Sequence, residues 1–146
     1  MYARTALALC LLMPVVASAQ HANDTCATAS VIAPTEGFAH SRSATIVPFP
    51  SASLPEMPMS CAVNAQNTIW YSFTPTESGR YEIASCDTLY LDTSLDDFAM
   101  AIYEGPCGAL VELANGCNDD WCSTRPRLVV DLVAGSPYSI QIGRFE

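Results

Sequence analysis

Six cysteines and a run of carboxylates hold most of the reactive chemistry in this 146-residue chain. The cysteines are Cys26, Cys61, Cys86, Cys107, Cys117 and Cys122, and a seventh, Cys10, lies inside an apolar N-terminal stretch. Thiols in this number can pair as disulfides or hold a metal, and the Cys117/Cys122 spacing alone would suit either. The compartment decides between them. Arg4, the apolar residues 6–16 and the small residues of Ala17-Ser18-Ala19 form a secretion signal over residues 1–19, with cleavage before Gln20. Cys10 leaves with the signal, and Leu9 ahead of it does not suit lipid attachment there. An even count in an exported chain predicts three disulfides, in a secreted, extracellular or cell-surface protein. Many connectivities are possible. Proximity favours Cys107 with Cys117.

The carboxylates come next. Asn118-Asp119-Asp120 lies between two cysteines, and Asp97 opens a strand expected to run beside it. Calcium takes about six to eight hard oxygen ligands at flexible distances, and acidic turns supply them. A crosslinked loop would hold these like charges close, and a cation would relieve the repulsion. Asp97, Asn118, Asp119 and Asp120 are therefore the candidate Ca²⁺ ligands, with Asp92 a rival to Asp97. The bland alternative is a solvated turn whose side chains satisfy their own backbone. Two aromatics could face a ligand, Trp121 in the acidic loop and Trp70 in a strand. A flat exposed ring can stack on a sugar, although large aromatics are mostly buried, which would place Trp70 against the disulfides or the loop over residues 47–60.

Enzyme chemistry finds little support. The chain has two histidines, His21 and His40, and no Gly-x-Ser-x-Gly elbow accompanies them. No His-Glu-x-x-His zinc motif and no glycine-rich phosphate loop occur. The fifteen acidic residues offer many pairs of glycosidase type. The formal charge of −9, with arginine as the sole strong base, disfavours nucleic acid and anionic membrane surfaces. After the signal, no apolar run reaches the roughly 20 residues of a membrane helix.

The elements that must position these residues read as strands. Ile69, Tyr71 and Phe73 alternate with Trp70, Ser72 and Thr74, giving a two-faced strand. Pro75-Thr76-Glu77-Ser78-Gly79 breaks it and residues 80–86 resume, which predicts a hairpin with a five-residue loop. Residues 98–103 form a strand stopped by Gly105-Pro106, and a short strand follows at 110–113. Residues 128–133 and 138–142 flank Ala134-Gly135-Ser136-Pro137, a second predicted hairpin. An opening strand is expected near 44–47, a proline-rich surface loop over 48–58, and a weak turn over 26–32. Short strands with Gly/Pro turns predict an all-β, antiparallel sandwich of jelly-roll type, stabilised by disulfides, as a single domain over residues 20–146.

In this order the motifs resemble a known family. Asn23-Asp24-Thr25-Cys26-Ala27-Thr28-Ala29, then Ile69-Trp70-Tyr71-Ser72-Phe73-Thr74-Pro75, Ser78-Gly79-Arg80-Tyr81, the strand from Asp97 to Tyr103-Glu104-Gly105-Pro106-Cys107-Gly108, Cys117-Asn118-Asp119-Asp120, and the Leu-Val-Ala-Gly turn into Tyr-x-Ile-x-Ile-Gly over 132–143 are similar to secreted bacterial modules of the pre-peptidase C-terminal (PPC-like) domain family. The resemblance covers nearly all of residues 20–146 and implies a jelly-roll-like sandwich. It also implies a non-catalytic accessory module of a longer secreted protein, mediating adhesion or positioning against an extracellular protein or polysaccharide. With the cysteine order it implies Cys26–Cys61 and Cys86–Cys122, and register back from Tyr103 favours Asp97 over Asp92. The stretch 86–97 is longer than the family pattern. The family also adds a strand after Arg144-Phe145-Glu146, so a truncated last strand and an unpaired sheet edge are expected. An alternative is the N-terminal part of a secreted hydrolase, protease or glycosidase, whose catalytic region lies outside this chain. A structural domain of a repetitive surface protein is a third. The sequon Asn23-Asp24-Thr25 carries little weight in a chain of bacterial type.

Overall fold

The computed structural model describes residues 22–33, 57–85 and 97–145. The signal segment, Cys10, His21, His40, the expected strand near 44–47, the prolines before residue 57, Cys86, Asp92 and Glu146 lie outside those residues. Among the described residues, seven strands follow one 3₁₀ turn over Cys26–Thr28: β1 (Ser30–Ile32), β2 (Gln66–Phe73), β3 (Gly79–Ala84), β4 (Phe98–Glu104), β5 (Val111–Asn118), β6 (Arg127–Leu132) and β7 (Tyr138–Arg144). They form a five-stranded sheet in the order β1-β2-β7-β4-β5 and a two-stranded sheet of β3 and β6. The fold is the expected all-β sandwich. All its pairings are antiparallel except β1 with β2, which run parallel.

Neither expected hairpin forms. β2 pairs with β7 and β1, and β3 pairs with β6, so residues 74–78 cross from one sheet to the other. Residues 133–137 cross back in the same way between β6 and β7. The reason is the shared core. Leu128, Val130 and Leu132 of β6 and Tyr138 and Ile140 of β7 bury together with Met100 and Ile102, and Tyr71, Phe73, Tyr81 and Ile83 pack against them. Each arch thus turns a strand's apolar face back onto this core from the opposite side. The arches also bind each other. Gly135, at φ +75°, donates its N–H to the Pro75 carbonyl at 2.8 Å, and Ala134 N–H donates to Ser78 Oγ at 2.9 Å.

Residues Phe98 to Tyr103 of β4 are all buried, because the large sheet is covered on both faces. Its second face carries Trp70, Ala99, Ala101 and Tyr103, packed with Cys26, Met59, Ala62, Ala65 and Leu110. Two segments make this cover: residues 22–29 and residues 57–65. Small side chains beneath let it come close. A Cβ on Gly143 would stand 3.0–3.1 Å from Thr68 Cγ2, Ala65 Cβ and Met59 Cε. The sandwich therefore carries a third layer that the strand pattern does not announce.

Both described disulfides staple this cover. Cys26–Cys107 fixes the first segment to the β4–β5 turn, and Cys61–Cys117 fixes the second to β5. The expected Cys107–Cys117 and Cys26–Cys61 pairings are thus incorrect. β5 is longer than the expected 110–113, and it runs antiparallel from Val111 opposite Glu104 to Cys117 opposite Ala101. Cys107 lies just beyond the turn end of that ladder and Cys117 at the other, so the two cannot meet. Cys122 is also disulfide-bonded, with its partner outside the described residues.

Candidate functional site

Asp97 immediately precedes β4, in a backbone knot. Its carbonyl accepts Phe145 N–H at 2.9 Å, and Phe98 N–H reaches the Thr124 carbonyl at 3.1 Å. Its carboxylate oxygen Oδ1 is shut off from solvent without a hydrogen-bond partner. Desolvation, reinforced by the negative charges of Asp120 and Asp119, raises its pKa above the ordinary aspartate value. Asp119 and Asp120, expected in sequence to lie near Asp97, are close enough for their charge to act on its carboxyl. A carboxyl whose folded pKa is raised contributes stability below its unfolded pKa, and that contribution is lost as pH rises through the folded value. Asp97 is thus a liability at neutral pH unless a cation or proton neutralises the corner.

Asn118 departs from expectation. It ends β5 rather than lying in the turn, and its Oδ1 accepts the Arg127 backbone N–H at 3.1 Å. Asp119 Oδ1 accepts Asp120 N–H at 3.0 Å. Among the described residues no group of three or more His, Cys, Asp or Glu side chains is close enough to hold a metal outright. Asp97 Oδ1 is left without a partner, whereas Asn118 is committed to joining β5 to β6.

The two tryptophans separate cleanly. Trp70 is fully buried beside Tyr103, ring centroids 5.7 Å apart, in the layer with Cys26 and Met59. It is not a ligand-facing aromatic. Trp121 is 62 % exposed and directly follows the acidic turn. Its N–H and that of Cys122 both donate to the Arg125 carbonyl, at 3.0 and 3.2 Å. The Arg127 guanidinium lies over its ring, 4.9 Å from the centroid, and is itself held by Glu82 at 2.6 Å. This pair pushes the Glu82 pKa down and the Arg127 pKa up, chiefly through their hydrogen bond.

Sequence reasoning missed the polar groups under the cover. Gln141 lies between Ile140 and Ile142 in sequence, yet it is fully buried and its Oε1 accepts the Tyr103 hydroxyl at 2.8 Å. Burial, with Glu112 nearby, raises the Tyr103 pKa far above the phenol value, so this hydroxyl stays protonated. Glu112 grips the cover through the Ser60 N–H at 3.0 Å and the Ser60 hydroxyl. Thr68 Oγ1, Trp70 Nε1 and Gln141 Nε2 are buried without hydrogen-bond partners. An unmet buried hydroxyl costs about 1–3 kcal/mol, so Thr68→Val, which keeps the shape, is expected to stabilise by about 1 kcal/mol. A higher urea midpoint with an unchanged slope would register this. Asn23 is buried, and its Nδ2 donates to the Trp70 carbonyl at 2.9 Å, so the sequon asparagine serves the edge of β2.

The fold and site define a disulfide-stabilised all-β sandwich with a stapled outer layer. No family model, no curated protein and no solved structure matches this chain. The two described disulfides are consistent with an oxidising, extracellular setting. Among the described residues no helix is long and apolar enough to cross a membrane.

Proposed function

We propose that this chain is an extracellular, non-catalytic binding module of a longer secreted protein, mediating adhesion or positioning its attached partner. Its acidic corner takes Ca²⁺. The observation that carries the reading is that one short loop, residues 119–122, holds both the carboxylates whose charge acts on Asp97 and the exposed ring of Trp121. An ion there would order the loop that presents the ring. The groups with other chemical potential are spent on structure: Glu112 on Ser60, the Tyr103 hydroxyl on Gln141, the described cysteines on disulfides. The motif order shared with pre-peptidase C-terminal modules supports the same reading.

The test is a thermal melt of the chain in calcium and in chelator, with Trp121 emission followed alongside. Ligand binding to the folded state alone adds about 2.7 kcal/mol at a hundredfold excess over Kd, a rise of several degrees. Asp97→Asn is expected to melt higher than the parent in chelator at neutral pH, to lose that advantage in acid, and to show no calcium response. A parent melt and Trp121 emission that ignore calcium would remove the ion from the reading.

A further inference from the structure

We infer that the outer face of the β3–β6 sheet, with Trp121 at its end, binds a neutral polysaccharide; this names the partner class of the module proposed above and rests on that reading. The outward residues of β3 are Arg80, Glu82 and Ala84, and opposite them in register on β6 stand Asp131, Val129 and Arg127. Two arginines and two carboxylates balance each other on this face, on a chain whose formal charge is −9. Arg80 stands opposite Asp131 and Arg127 is joined to Glu82, so each guanidinium donor has a carboxylate acceptor beside it. A sugar hydroxyl both donates and accepts, so a polyhydroxylated chain can meet either kind of group. A charged polymer gains no net attraction at a balanced face, and an anionic one is repelled by the molecule as a whole.

Trp121 supplies the apolar part of the contact. Arg127 backs the indole and Glu82 fixes Arg127, so the ring is already oriented and little rotamer freedom remains to be lost on binding. Its loop is tied by the Cys122 disulfide and by the two hydrogen bonds to the Arg125 carbonyl. A stable protein partner would bury about 800 Å² on each side, with an apolar patch at its centre. Asp119 and Asp120 precede Trp121 in the chain, Arg127 lies over its ring and holds Glu82, and Val129 is a partly exposed apolar residue further along β6. A ring in a polar surround fits the apolar face of a sugar with hydroxyls at its rim.

The test is affinity electrophoresis and pull-down of the full chain on uncharged glucans and on an N-acetylglucosamine polymer, at low and high salt. Binding to at least one of these is expected to survive high salt. It should weaken about tenfold in Trp121→Ala, as loss of an aromatic contact worth roughly 1.4 kcal/mol implies. Trp121→Phe should retain most of it. Unchanged Trp70 fluorescence shows that both variants are folded. Binding that ignores Trp121→Ala, or that salt abolishes, overturns the inference. Trp121-dependent retention on a protein-coated surface such as gelatin, with none on glycans, overturns the polysaccharide and leaves the module reading standing. No Trp121-dependent retention on either surface overturns both.

Discussion

Replacing Trp70 with alanine is expected to destabilise the protein by about 3–5 kcal/mol, a large fraction of the ~5–15 kcal/mol that holds a typical domain together. Trp70 is fully buried and belongs to the layer between the large sheet and its cover, against Tyr103, Met59 and Cys26. Deleting the ring leaves a void that Ala99 and Ala101 beneath are too small to fill. One effect works in the other direction. The indole Nε1 is buried without a partner, so its removal also relieves an unmet donor. Trp70→Phe isolates that contribution, since it keeps a ring and drops the N–H, and it should lose far less stability than Trp70→Ala. Trp121→Ala should stay within about 0.5 kcal/mol of the parent, as exposed substitutions do. Urea unfolding of the three variants checks the order. Equal losses at the two tryptophans would refute the assignment of Trp70 to the core and Trp121 to the surface.

The period-two pattern was legible and its consequences were not. Leu128, Val130 and Leu132 alternate in sequence and are buried together, as alternation demands. Alternation says which side chains face the core, but a strand that folds back as a hairpin and one that arches over the core show the same pattern. Pro75 to Gly79 and Ala134 to Pro137 were therefore correct as turns and incorrect as hairpins. The third layer was hidden for a related reason. Ala99, Ala101, Ser139, Gln141 and Gly143 look like the solvent side of two strands, because small and polar residues usually are. Here Ala99, Ala101 and Gly143 are small so that a stapled segment can approach, and Gln141 is buried on the same face against Tyr103. The disulfide pairing failed because it depends on where β5 ends, and strand length is set by tertiary pairing rather than local propensity. The Arg127–Glu82 pair that fixes Trp121 was invisible, since it spans two strands far apart in sequence.

The staples should matter about as much as the ring they cover. Cys26–Cys107 closes a separation of 81 residues and Cys61–Cys117 one of 56. Loop-closure entropy grows only with the logarithm of length, so each bridge is expected to contribute about 4 kcal/mol by constraining the unfolded chain. Exchanging either pair for alanine should cost a similar amount, yet the local consequences differ. The Cys61/Cys117 pair, with Glu112 gripping Ser60, holds the segment that seats Met59 over Trp70 and Gly143. In Cys61→Ala/Cys117→Ala the cover should loosen before the sandwich core, which neither bridge crosses. Quenching by a soluble quencher reports this directly, because the parent holds one exposed and one buried tryptophan. The parent should show one accessible and one protected emitter, and the double variant should show both accessible while its strand signal in far-ultraviolet circular dichroism persists. Simultaneous loss of the strand signal and the protection would mean that cover and sandwich unfold as one unit. Continued protection of Trp70 would mean that Met59, Ala62 and Ala65 hold the cover by packing alone.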